Sequence, residues 1–128
     1  MKTLDVSKQV FRQVQRLFIW TCDLENFGVP EYWKSFADEV ERGEVFRGDC
    51  DNFALTCGEL LHRQGIEPKL IRIALCWVEN GGYHAVCICD GWVLDNRQRA
   101  VWRWNQLQRY KWDKSMRLDQ PGVWWLAK

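Results

Sequence analysis

The stretch GDCDNFALTCGELLHRQGIEPKLIRIALCWVE, residues 48 to 79, decides the fold, because its apolar rhythm changes once within it. Before Pro68, Cys50, Phe53, Ala54, Cys57, Leu60 and Leu61 recur at helical spacing and form one face. Asp49 stands where an N-cap is needed, and Gly65 stands where the helix should stop. After Pro68 the period drops to two. Ile71, Ile73, Leu75 and Trp77 fall on one face, and Leu70, Ala74, Cys76 and Val78 on the other. A strand apolar on both faces belongs in the middle of a sheet. The stretch therefore predicts a helix that begins at Cys50 and runs into a central strand.

Working outward, ENGG at 79 to 82 reads as a turn. YHAVCICDGWVLDN, residues 83 to 96, reads as a hairpin turning at Asp90-Gly91. Trp102, Trp104, Tyr110, Trp112, Trp124 and Trp125 mark further strands. Upstream, Val6, Val10, Val14 and Phe18 step by four, with Lys8, Arg12 and Arg16 off the stripe, which predicts a core-packed amphipathic helix over about 5–22. A basic membrane-surface helix is the weaker reading of the same pattern. Gly28 and Pro30 break the pattern, and PEYWKSFADEVERG at 30 to 43 predicts a second helix. Helices first and an antiparallel sheet after them make an α+β fold, expected to be one domain over residues 1–128.

The totals narrow the function. Of the 128 residues 47% are hydrophobic, enough to bury a core, and the net charge of +1 provides no strong field for nucleic acid or membrane. The charge is uneven: seven basic residues and one acid lie between Arg97 and Arg117, leaving a balance of −5 elsewhere. The N-terminus has no uninterrupted apolar stretch of the signal-peptide kind, and no run approaches the roughly 18 apolar residues of a membrane span. A cytoplasmic location with reduced thiols is therefore expected for the six cysteines, most of them small core hydrophobes.

Cys50 is the exception. In the first turn of a helix it meets the positive end of the helix dipole, which favours thiolate. Its neighbours Asp49 and Asp51 oppose this, but successive side chains diverge by about 100°. An inward Cys50 thus implies outward aspartates, with Asp49 occupied as the cap. A nucleophilic cysteine needs a base, and the base an orienting group. His62 lies about 18 Å along the helix and is out of reach. His84 opens a strand and shares a face with Val86 and Ile88, an apolar side that a helix could cover. A two-residue Asp90-Gly91 turn pairs Cys89 with Trp92 and Val86 with Asp95, so His84 and Asp95 become diagonal neighbours on one face. A turn longer by one residue would bring Asn96 there instead. Cys50, His84 and Asp95 are the candidate catalytic residues. The Cys50 backbone N–H at the helix start is a natural oxyanion donor, and Trp33 a candidate for the second.

These residues carry a resemblance. YW at 32–33, GDCDNFA at 48–54, YHAVCI at 83–88 and GWVLDNR at 91–97 are similar to the bacterial transglutaminase-like cysteine peptidases of the papain-like superfamily. The segment VWRWNQLQRYKW after the aspartate also resembles that family. The resemblance implies a papain-like or transglutaminase-like core with the catalytic cysteine at a helix N-terminus on an antiparallel sheet. It implies the same triad, Cys50, His84 and Asp95, and a protein or peptide substrate. No cofactor is expected to be required. Calcium is the one ion the resemblance brings in, since some members have acids beside the cysteine as Asp49 and Asp51 are here, although Asn52 stands where the family usually has a second acid.

The expected activity is that of a thiol hydrolase, a cysteine peptidase or amidase working through an acyl-thioester. Acyl transfer or deamidation by the same triad is the alternative within the class. Two rivals lie outside it. His84, Cys87 and Cys89, with Cys50 or Cys57, could bind zinc, but a regular strand turns Cys87 and Cys89 away from His84. The basic aromatic segment 97–117 could be a binding module for single-stranded nucleic acid or a sugar polymer. The preferred reading places its tryptophans in the core and its cations on the solvated face, with nucleic acid not an expected partner.

Overall fold

The computed structural model describes residues 2–21 and 34–127. Helix α1 (Thr3–Leu17) packs on helix α3 (Cys50–Arg63), with a short α2 (Ala37–Glu41) beside them. The first helix ends sooner than its pattern predicts. Phe18 continues the step of four, but Phe18–Trp20 leaves the helix as β1 and pairs in parallel with β2 (Phe46–Gly48). An aromatic run with a β-branched centre is also a good strand former. Here the strand wins because Phe18 seats against both Phe46 and Phe53, with ring centroids 5.4 and 5.0 Å apart. Residues 30–33 of the predicted 30–43 helix lie outside the described residues, 34–36 are not helical, and the helix itself is only α2, Ala37–Glu41.

The remaining strands are β3 (Ile71–Trp77), β4 (Tyr83–Cys89), β5 (Trp92–Leu94), β6 (Trp102–Arg103), β7 (Lys111–Arg117) and β8 (Trp124–Leu126). They form one antiparallel sheet in the order β6-β5-β4-β3-β7-β8. β3 is central, as its doubly apolar pattern requires, and both its faces are buried. Ile71, Ile73, Ala85, Cys87, Cys89 and Leu94 meet the helices. Ala74, Cys76, Val86 and Val93 point the other way, into a smaller cluster closed by Tyr110. The helices thus cover the face opposite His84, not the apolar side it shares with Val86 and Ile88, because odd-numbered β4 residues carry the small side chains that let α3 approach. Cys57, Cys76, Cys87 and Cys89 are free and buried, acting as small core residues; Cys22 lies outside the described residues. No helix of the described residues is long and apolar enough to cross a membrane.

Two local devices place the site. The first is the start of α3. Asp49 Oδ1 accepts the backbone N–H groups of Asp51 and Asn52 at 3.0 and 3.2 Å, while Asn52 Oδ1 accepts the N–H of Asp49 at 3.0 Å. This reciprocal box satisfies donors that a helix start otherwise leaves open. It also explains Gly48, where a Cβ would lie 2.7 Å from the Asn52 side chain. The second is the β4–β5 turn. Asp90 and Gly91 both have positive φ, 49° and 85°, the pattern of a two-residue turn whose twist matches its strands. It fixes the register Cys89↔Trp92, Ile88↔Val93 and Cys87↔Leu94, as the sequence predicts.

Candidate active site

The hairpin carries His84 and Asp95 to one buried point. His84 Nε2 lies 2.7 Å from Asp95 Oδ1; His84 is 7% exposed and Asp95 not at all. A carboxylate only accepts, so the imidazole donates from Nε2, which leaves Nδ1 as the nitrogen able to exchange a proton. Asp95 is held from three sides. Oδ1 also accepts the Arg97 backbone N–H at 2.9 Å, and Oδ2 accepts the Tyr110 hydroxyl. The Tyr110 oxygen receives Arg97 Nη1 and Gln98 Nε2, each at 3.1 Å. With two donors filling its lone pairs, its single proton must point at Asp95. The Tyr110 ring also stands edge-on to the His84 ring, centroids 6.2 Å apart. Burial and the Asp95 carboxylate both push the Tyr110 phenol up, keeping it a donor at neutral pH.

Cys50 sits half-buried at the first position of α3. The Ala85 backbone N–H, one residue past His84, is aimed at its sulfur and favours the thiolate. This is outweighed. Burial first, and the Asp51 carboxylate second, push the Cys50 thiol up to about 12. The expectation that Asp51 faces away is therefore overturned: its Oδ1 is 3.9 Å from Cys50 Sγ. Helical side chains lean back toward the N-terminus, so Asp51 reaches over the residue before it. Asp51 is itself raised to about 6, mainly by burial and then by Asp49, while the nearby His84 pulls the other way. Asp51 thus lies within electrostatic reach of both the thiol and the imidazole.

Other expectations divide. Asp49 caps the helix as predicted. Trp33 lies outside the described residues. Cys87 and Cys89 join the helix-side core, away from His84, and among the described residues no group of three or more His, Cys, Asp or Glu side chains could hold a metal. The tryptophans of the basic segment divide: Trp112 packs against the smaller core cluster as expected, whereas Trp102 and Trp104 are 42% and 46% exposed. The sequence marks Tyr110 only as a strand residue and gives no sign of its role at the site. Tyr110 lies 15 residues from Asp95, and no turn signal ties their registers.

Set beside known proteins, residues 1–127 match the sequence model of the bacterial transglutaminase-like cysteine proteinases, and the chain belongs to that family. It is a cysteine proteinase by class. Among solved structures it is similar to LapG of Legionella pneumophila, with 20% identity and a TM-score of 0.76, covering 99% of this chain and 70% of that one. The calcium-bound LapG matches with a TM-score of 0.75 and 20% identity, over 96% of this chain and 68% of that one. The EGTA-treated form matches with 0.76 and 20%, over 99% and 68%. At this identity the likeness establishes the fold, helices packed on a papain-like or transglutaminase-like antiparallel sheet. No curated protein sequence matched.

Proposed function

We propose that Cys50, His84 and Asp95 are the nucleophile, general base and orienting acid of a thiol peptidase. The observation that carries this reading is the buried His84–Asp95 hydrogen bond beside a cysteine at a capped helix start. A buried imidazole–carboxylate pair also occurs structurally, but here the strand that holds it presents the next residue's N–H to the Cys50 sulfur.

Burial and the Asp51 carboxylate both disfavour a standing thiolate at Cys50, which supports general-base attack. Cys50 Sγ attacks the scissile carbonyl carbon as its proton passes to His84 Nδ1. Asp95, fixed by Tyr110 and the Arg97 N–H, holds the ring and stabilises the imidazolium. The carbonyl oxygen, now an anion, meets the Cys50 backbone N–H. Among the described residues that N–H has no partner, whereas those of Asp51 and Asn52 go to the Asp49 side chain and that of Phe53 to the Asp49 carbonyl. Collapse breaks the C–N bond, and Nδ1–H protonates the leaving amine. Water then attacks the thioester, giving its proton to His84, and the acid departs as Cys50 regains its proton.

Calcium needs separate treatment, because one similar structure is described as calcium-bound. Calcium takes six to eight oxygen ligands. Here Asp49 uses Oδ1 on the helix cap and Asp51 turns to the thiol, so the described residues do not build such a cage. No step above passes through a metal.

The test is incubation of the full chain with a peptide library in ¹⁸O-labelled water, read by mass spectrometry. Hydrolysis places the label in a new carboxylate; products without label, joined to an added amine, would assign acyl transfer instead. Turnover that survives Cys50→Ala would overturn the triad.

A further inference from the structure

The face of the sheet away from the helices carries a second concavity that the reaction does not use. A cavity of about 380 Å³ opens there, floored by Ala74 and Ile88 and walled by Trp104, Trp112 and Trp125, with Arg72 at one side. Trp125 is 50% exposed, so these walls are rigid aromatic surface held in water without a covering partner among the described residues. A half-exposed tryptophan wall is the kind of surface that anchors a bound chain.

Its charge is specific. Arg72 presents five N–H donors, and among the described residues its one side-chain hydrogen bond is to Ser115 Oγ at 3.1 Å. The acid whose field it shares, Asp119, is taken by Arg117 in a two-pronged contact at 2.9 and 2.6 Å. Arg72 thus has a guanidinium fork suited to a carboxylate and no carboxylate of its own among the described residues. Three cations of the basic segment, by contrast, are engaged elsewhere: Arg97 with Glu79, Arg103 over Trp92 and Lys111 over Trp77; Lys114 also lines the cavity, with its ammonium over the Trp124 ring. One fork with a single ammonium beside it in an aromatic hollow fits one anion joined to an apolar group. It does not fit a phosphate backbone or a charged bilayer, both of which call for cations spread along a surface.

We propose that this cavity is an exosite for the protein on which the enzyme acts, taking a segment in which a large apolar side chain stands next to an aspartate or glutamate. The assignment rests on the peptidase reading only for the identity of the partner. Position supports it. Ile88 lies four residues along β4 from His84, about 13 Å, and Trp112 packs edge-on against Tyr110 with centroids 5.8 Å apart. The exosite wall and the residue that clamps Asp95 are therefore in contact.

The experiment uses the full chain carrying Cys50→Ala and follows the anisotropy of a fluorescein-labelled peptide, Gly-Ser-Phe-Asp-Ser-Gly, against the same peptide with lysine for aspartate. The acidic peptide should bind about tenfold tighter than the lysine one. Trp104→Ala or Trp125→Ala, both on exposed side chains, should weaken it about tenfold. Arg72→Gln, its fold checked by circular dichroism, should erase the difference between the peptides. Equal binding of the two peptides, absence of saturable binding, or binding unchanged by the tryptophan variants would overturn the proposal. So would tighter binding to phosphatidylglycerol vesicles, or self-association that Trp125→Ala abolishes. Because binding is read in a chain that cannot turn over, its failure leaves the Cys50 reaction standing, and failure of that reaction leaves the binding result standing.

Discussion

The two halves of the candidate site are built on opposite principles. At His84–Asp95–Tyr110 the polar groups are matched: a carboxylate with three donors, a hydroxyl with two donors and an acceptor, an imidazole in one tautomer. At Cys50–Asp51 the arrangement is mismatched. A half-buried carboxyl and a thiol lie side by side; the Asp51 carboxylate raises the cost of ionising Cys50, while the thiol's hydrogen bond eases the ionisation of Asp51 against the burial that opposes it. The contrast teaches where each kind of precision is needed. The base must be held in place, so its surroundings are complete. The nucleophile must remain a thiol until substrate arrives, so its surroundings discourage charge.

The comparison can be broken most sharply at the reacting groups. Cys50→Ala should abolish turnover and His84→Ala should reduce it by at least about 10³-fold. His84→Ala should also slow alkylation of Cys50 by iodoacetamide, read by peptide mapping; among the described cysteines Cys50 is the one not buried, so it should label first. Asp95→Asn keeps the shape but offers Nε2 a donor where it needs an acceptor, and kcat should fall by about 10²- to 10⁴-fold. Tyr110→Phe removes one of three donors to Asp95, with kcat falling about tenfold at nearly constant KM. Loss of KM alone would mean that Tyr110 does not position the base.

Asp51→Asn should act in the opposite direction. Removing the carboxylate next to Sγ lowers the thiol's pKa, and alkylation at neutral pH should speed by about three- to tenfold. Its effect on stability has a definite sign. Asp51 is raised to about 6, so in the folded chain it holds a proton that the unfolded chain gives up near its ordinary value. That stabilisation is complete at pH below the ordinary aspartate range and is lost as pH rises through about 6. The melting temperature of Asp51→Asn should therefore exceed that of the unsubstituted chain at pH 7, with the gap closing toward pH 4. A gap constant over this range would mean that Asp51 is not raised. The smallest expected effect is at the cap, where Asp49→Ala should cost about 1 kcal/mol in denaturant unfolding.

What could be read from the sequence follows from how far each signal reaches. The pairing of His84 with Asp95 depends on 11 residues and one turn, and Asp90-Gly91 admits few geometries. The start of α3 needs five residues, Gly48 to Asn52, with the cap among them. Tyr110 depends instead on β7, whose register against β3 shifts at Leu75/Cys76. A shift of that kind reverses which side chains face a given layer, and nothing local to Tyr110 announces it. The failure at Asp51 was of another kind: counting 100° per residue places the Cα–Cβ bond and not the end of a side chain. The tryptophans of segment 97–117 read as core on hydrophobicity, but a sheet with one face covered by helices leaves its other face to be filled by whatever the strands themselves supply, and of these tryptophans only Trp112 packs there.

Asn52 has a mechanical consequence. Its Oδ1 takes the Asp49 N–H, while its Nδ2 donates to the Lys34 carbonyl at 3.0 Å. A single amide is thus a strut between the leading edge of α3 and a strand of chain 18 positions earlier. A carboxylate there could brace the cap but could not grip a carbonyl, and it would add a third negative charge to a corner already holding two. By carrying an amide the chain has made that corner stiff where it could have been more acidic, and any load on the Lys34 segment is delivered to the residue beside which Cys50 is mounted.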